Sequence, residues 1–304
     1  MRKVVISFFT ILLVVPSTAC PICGCGVGGF YMGLMPSFDS KFIGLRYQYM
    51  RYQTHIKDEP SEFSYDHYKT LELWGGWNLG SKWQVLAFVP YHLNYQNTDD
   101  GVKREQGVGD ISFIANYKLW QTNKQNKNDR SVSHQEFWLG AGLKLPTGSY
   151  NVDLTDPEAE IGDVNSQMGT GSLDFISTLT YNITFGKIGI NTSANYKINT
   201  ANNSDFRFGN RLTASSIGFY QTRAGKTALT PNLGVLYENA ATNRLQKEGI
   251  PETGGYVALA VTGLEMRRGK VSFGGNLQLP FAQDFASGQT KAETRGLLYA
   301  NFSF

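Results

Sequence analysis

The chain has 304 residues, of which 41% are hydrophobic, 13% aromatic and 17% charged, with a net charge of +3. So low a charge fraction and so many aromatics exclude a disordered chain and argue against a nucleic-acid binder. A mean hydropathy of −0.28 is too polar for a bundle of membrane helices.

Arg2 and Lys3 precede an apolar run, Val4 to Val15, broken by Pro16 and followed by the small residues Ser17, Thr18 and Ala19. This order reads as an export signal over 1–19. The apolar run is too short for a membrane-spanning helix. A mature chain beginning near Cys20 is therefore expected to leave the cytosol.

Residues 20–40 open with "CPICGCG", which holds all three cysteines, Cys20, Cys23 and Cys25. Three readings stay open. Cys20 could carry lipid, although Ser17 stands where lipoprotein signals usually have Leu. A disulfide would leave one thiol over. Three thiolates in C-x-x-C-x-C would suit Cu(I), or Zn²⁺ with a fourth ligand, and Met32 and Met35 offer thioethers downstream. The G-x-G-x-x-G of Gly24, Gly26 and Gly29 is not a dinucleotide fingerprint, because no strand precedes it and no helix follows. The segment is read as a plug or a periplasmic tail.

From Phe42 the pattern has a period of two. Ile43, Leu45, Tyr47 and Tyr49 alternate with Gly44, Arg46 and Gln48. In "KTLELWGGW", Leu71, Leu73 and Trp77 oppose Thr70, Glu72 and Trp74. In "KWQVLAFVPYHLNY", the residues from Trp83 to Tyr95 alternate likewise, and "GDISFIANYKL" sets Ile111, Phe113 and Ala115 against Asp110, Ser112 and Asn116. Similar runs follow at roughly 137–147, 172–184, 187–199, 207–221, 226–238, 255–266, 270–281 and 294–304. The spacing predicts about twelve strands of the length that crosses a bilayer, ~9–11 residues or a little more.

Connections at 79–82, 185–186, 222–225 and 267–269 are short, while 55–67, 97–107, 148–171, 200–206, 239–254 and 282–293 are mostly longer. Alternating short turns and long loops predict an all-β fold, a transmembrane up-and-down antiparallel barrel over 41–304. Gln121–Gln135 breaks the rule and reads as an unstructured turn. Pro90, Pro146 and Pro280 each remove a ladder donor, so kinks or bulges are expected there, with the possibility of a sideways exit to lipid.

The segments "FVPYHLNY" (88–95), "GVGDISFIANYKL" (107–119) and "GAGLKLPTGSY" (140–150) resemble the outer-membrane "transporter" proteins linked to the meta-pathway of phenol degradation. The Cys cluster and "GLMPSF…KFIGLRYQYM" resemble a Bacteroidetes-type version. The resemblance implies a porin-like channel for small, hydrophobic or aromatic solutes, and recognition of the terminal strand, which ends at Phe304, by barrel-assembly machinery.

Parity aims Arg46, Glu72, Trp74, Leu86, Phe88, His92, Asp110, Asn116, Lys118 and Lys144 into the lumen, with Ile114 and Ile176 adding to a greasy strip. Both charge signs argue against strong ion selectivity. His55 and His67 flank the first long loop and could approach each other. Asp153, Asp156, Glu158, Glu160 and Asp163 lack calcium-loop spacing. No nucleophile–base constellation is apparent, so the chain is not read as an enzyme. The expected partners are outer-membrane lipid and a small solute, without nucleic acid and with a monomer favoured. The alternative is a metal-handling barrel that uses Cys20, Cys23 and Cys25.

Overall fold

The computed structural model describes residues 41–55, 63–98, 101–125, 132–152, 164 and 167–304. The export signal, the cysteine segment and the acidic residues of 153–163 lie outside them.

The described chain is almost entirely strand. Its elements are β1 (Phe42–His55), β2 (Phe63–Leu79), β3 (Trp83–Thr98), β4 (Gly101–Val108), β5 (Ser112–Gln125), β6 (Val132–Lys144), β7 (Asp174–Phe185), β8 (Ile188–Ile198) and β9 (Phe206–Arg207). There follow β10 (Arg211–Tyr220), β11 (Thr222–Ala224), β12 (Thr227–Ala240), β13 (Arg244–Leu245), β14 (Glu248–Gly249), β15 (Gly255–Arg268), β16 (Val271–Phe285), β17 (Thr290–Ala292) and β18 (Arg295–Ser303). Every pairing is antiparallel, and β1 closes the sheet on β18, from Phe42 opposite Ser303 to Tyr49 opposite Gly296. Counting β4 with β5, β10 with β11, and β17 with β18, as single interrupted strands gives a closed barrel of twelve. Closure of β1 on β18 removes the two outer edges that an open sheet would have, as a strand protein needs in hydrocarbon, and β4 is left paired on one side only, with β3.

The alternation sorts side chains by face. Leu45, Leu79, Leu233, Phe281 and Leu298 are among many apolar residues 52–67% exposed on the outside. So much greasy surface on one face makes sense only against lipid. Trp83 packs at a tilt against Tyr117 at 4.8 Å near the short-turn end, and Tyr237 stacks on Tyr256 at 6.1 Å near the long-loop end, as interfacial aromatics do. Gly80, Gly186, Gly225 and Gly269 take positive φ in the short turns, a conformation that costs glycine little. Both chain ends of the barrel and these turns share one side, taken here as periplasmic.

Three sequence expectations change. The 97–107 region is not a long loop: β4 pairs with β3 from Tyr91 opposite Val108 to Thr98 opposite Gly101. Its "VKREQ" is exposed on both faces, so it has no hydrophobic period to read. Gln121–Gln135 is not a turn throughout, because β5 runs to Gln125 and β6 begins at Val132. The strand named at 137–147 ends at Lys144.

The prolines do mark irregularities. Pro90 faces the break between β4 and β5, Pro146 follows the end of β6, and Pro280 adjoins a register shift between Ala258 and Leu259.

Candidate functional site in the barrel lumen

The inward positions of β1, β2, β3, β5 and β7 bring Phe42, Trp74, Leu86, Phe88, Ile114 and Ile176 into one buried cluster. Trp74 stacks on Phe88 at 6.2 Å, and Phe42 meets Trp74 edge-on at 4.6 Å. Arg46 sits over both rings, 5.2 Å from Trp74 and 5.6 Å from Phe88, and its guanidinium is ion-paired with Glu72. The rings therefore cover the apolar side of a buried charge pair, which keeps the cation in one place.

Around this strip the inner face is polar. Thr178 Oγ1 donates to Asn116 Oδ1 at 2.8 Å, and the Lys118 ammonium lies 4.8 Å from the Trp138 ring centre. His92 faces inward as parity predicts, with Nδ1 3.0 Å from Thr70 Oγ1.

The interruption between β4 and β5, residues 109–111, is the main irregularity of the wall. Here Asp110 turns inward and gathers the chain beyond β6. Its Oδ2 accepts from Lys144 Nζ at 2.5 Å and from the Thr170 N–H at 2.9 Å, and its Oδ1 accepts from the Gly148 N–H at 3.0 Å. Lys144 also reaches Asp174 Oδ2 at 2.9 Å. All three charged groups are buried. On the outside, Val108, Phe113, Leu143, Leu173 and Phe175 are exposed apolar residues at this level. The break thus lies inside the lipid-facing band. On the inside, Ser112 next to it pairs with Phe88 of the cluster.

The facing wall was missed by the sequence reading. Ile217, Phe219, Leu236, Val257, Leu259 and Val261 form a second buried cluster with Met50, Tyr52 and Tyr68. Phe206 and Phe208 join it from the segment holding β9, 5.0 Å apart edge to face. That segment belongs to a small three-stranded sheet, β14–β13–β9, between the barrel strands. A Cβ at Gly209 would stand 1.7 Å from the Ala241 carbonyl oxygen, so only glycine lets the two loops touch there. Arg295, fully buried, donates to Glu238 at 2.7 Å and to the Tyr52 hydroxyl at 2.8 Å. Inward parity was available for the apolar strand residues. Phe206 and Phe208 lay in a segment without period.

The ten lumen residues named from sequence all point inward. Cys20, Cys23 and Cys25 lie outside the described residues. His55 and His67 do not meet: His55 lies against Gln53, and His67 Nδ1 is 2.7 Å from the Tyr49 hydroxyl. Among the described residues no group of three metal-ligating side chains occurs.

With that geometry in place, the fold has clear relatives among solved structures. The COG4313 outer membrane channel from Pseudomonas putida F1 superposes with a TM-score of 0.60 at 16% identity, over 91% of this chain and 98% of that one. The β domain of the Bordetella autotransporter BrkA follows, at a TM-score of 0.49 and 11% identity, over 88% of this chain and 100% of that one. No protein-family model matches the sequence, and no curated protein does. The likeness establishes the fold, that of outer-membrane barrels.

Proposed function

We propose that the protein is a passive outer-membrane channel for small apolar or aromatic solutes, as the phenol-pathway resemblance implies. One observation carries the reading. The strip of Trp74, Leu86, Phe88, Ile114 and Ile176 runs up to the wall break at 109–111, where the outer surface is greasy. These side chains are packed together at 0–3% exposure, so an apolar solute passes by parting them, exchanging their apolar contacts for its own, and it gains again by leaving sideways into lipid without crossing water. Asp110 and Lys144 act as the latch of that exit, since they tie the chain beyond β6 against the break. Mixed charges elsewhere in the lumen give no strong preference for either ion sign. The channel role of the COG4313 protein agrees with this reading but belongs to that protein.

Phe88→Asp tests it. A carboxylate at the centre of the strip should lower uptake of a phenol-sized solute about tenfold, equivalent to ~1.4 kcal/mol on the barrier. Flux of a small sugar should stay within about twofold of wild type, a barrier change under ~0.5 kcal/mol. Equal loss of both fluxes would mean a blocked lumen and would remove the strip from the account.

A second reading rests on the spacing of Cys20, Cys23 and Cys25. Three thiolates in six residues would hold one soft metal ion, and the protein would then hand metal across the membrane. Elemental analysis of protein purified without chelator decides it. Metal that disappears on replacing all three by Ser supports the reading, and metal-free wild type ends it.

A further inference from the structure

The outer surface is not the same all round. At the extracellular ends of β1 to β4, just beyond the apolar band, the outward positions carry Arg51, His67, Lys69 and Arg104. The ladder fixes this placement. Arg51 lies opposite His67, His67 opposite Tyr95, and Tyr95 opposite Arg104, so all four share the outer face. One row nearer the membrane, Lys69 lies opposite Leu93. At the corresponding ends of β12, β15 and β16, the outward residues are Tyr237, Asn239, Tyr256 and Asp284, none of them basic.

Two of the basic groups are already engaged. Arg51 is ion-paired with Glu293, and His67 is hydrogen-bonded to the Tyr49 hydroxyl. Lys69 and Arg104 are exposed and have no acidic partner among the described residues. The Arg104 guanidinium rests 5.6 Å from the centre of the Tyr95 ring. Between them lies a recess of about 730 Å³ whose walls include Leu93 and Tyr95. Glu105, also at its edge, pairs with Asn94 and so belongs to the inner face. The next outward row of the ladder nearer the membrane is Leu71 opposite Tyr91, both exposed and part of the apolar band.

We infer that this recess binds the phosphate-bearing headgroup of a glycolipid in the outer leaflet. The inference rests on the outer-membrane placement of the barrel and is independent of what the lumen carries. Three features argue for that occupant. Two cations without an acidic partner converge from strands on either side of β3, so both can reach one phosphate. Tyr95 and Leu93 give a flat apolar wall for a sugar face. Continuity with the lipid band lets acyl chains run down the barrel while the headgroup stays at the rim. The one-sided distribution means that lipid would be held at β1–β4, beside the wall break, and not around the whole barrel.

The test uses the full chain, delipidated in detergent, with purified diphosphoryl lipid A as probe. Titration followed by native mass spectrometry counts the bound lipid. Wild type should retain about one lipid A. The double variant Lys69→Gln/Arg104→Gln should bind about 25-fold more weakly, at roughly fivefold per basic group. Phosphate-free lipid A should bind wild type as weakly as diphosphoryl lipid A binds the double variant. Lys270→Gln, in a periplasmic turn, should bind like wild type. Unboiled gel mobility checks that each variant is folded. Equal affinity of wild type and double variant, or equal binding of the phosphate-free lipid, would overturn the assignment.

Discussion

The two facing walls of the lumen were built by different rules. On β1 to β7 the inward apolar residues come from strands alone, and one buried ion pair, Arg46 with Glu72, is enclosed by their rings. On β10 to β16 the apolar residues are joined by loop side chains, Phe206 and Phe208, and by Tyr52 and Tyr68 of the neighbouring β1 and β2. The first wall ends at a break in the ladder, and the second ends in a packed cap. Only one of the two walls is built so that it can open. A break held by a few polar contacts can part without exposing a core, whereas parting the cap would expose aromatic surface. We therefore propose the exit at 109–111 and a closing role for the cap.

The largest effect is expected from Asp110→Ala. It leaves the buried Lys144 with Asp174 as its one acidic partner and releases the Gly148 and Thr170 amides. Removing one member of such a network costs about 3–5 kcal/mol. The temperature at which the gel band shifts from folded to unfolded mobility should fall clearly. Asp174→Ala should lower it less, because Asp110 still holds the ammonium. The reverse order would mean that the break is not held by Asp110.

Phe206→Ala probes the other wall. Truncating this fully buried ring should cost about 3–5 kcal/mol locally. The loss falls on the cap and not on the ladder, so sugar flux should rise while the band-shift temperature changes little. A large drop in that temperature with unchanged flux would show that Phe206 supports the barrel and not a closure.

The smallest change is Gly80→Ala, in a periplasmic turn with φ of +69° and nothing within 4 Å of an added Cβ. Only backbone strain remains, about 1 kcal/mol. Both fluxes should be unaltered, which calibrates the gel assay against a change remote from either wall.

Much of this architecture was legible in the sequence, for a physical reason. Between water and lipid, the period of two is imposed on every spanning strand, so Arg46, Glu72, Trp74 and Phe88 could be aimed inward by counting. The same counting aims Leu236, Val257, Leu259 and Val261 inward. Beyond the membrane both faces meet water and the period vanishes. That is why β4, with its "VKREQ", read as loop, and why the polar ends of β5 and β6 were lost. The cap was illegible for another reason: Phe206 and Phe208 are placed by contacts between loops, at Gly209 against Ala241, which local sequence does not encode. Prolines gave the best pointer to irregular wall, because a missing donor must disturb the ladder wherever it falls.

The exit itself can be stapled. A Cβ at Gly107 of β4 would stand 3.9 Å from the Cβ of Met168, which lies on the chain beyond β6. That separation matches a disulfide, whose Cβ atoms are typically ~3.5–4.5 Å apart. Gly107→Cys with Met168→Cys, in a chain whose three native cysteines are Ser, therefore joins the two sides of the break. Uptake of a phenol-sized solute should stop in the oxidised protein and return on reduction, while sugar flux stays the same in both states. Equal uptake of the phenol-sized solute before and after reduction, with the staple verified by mass spectrometry, would contradict a sideways route through 109–111.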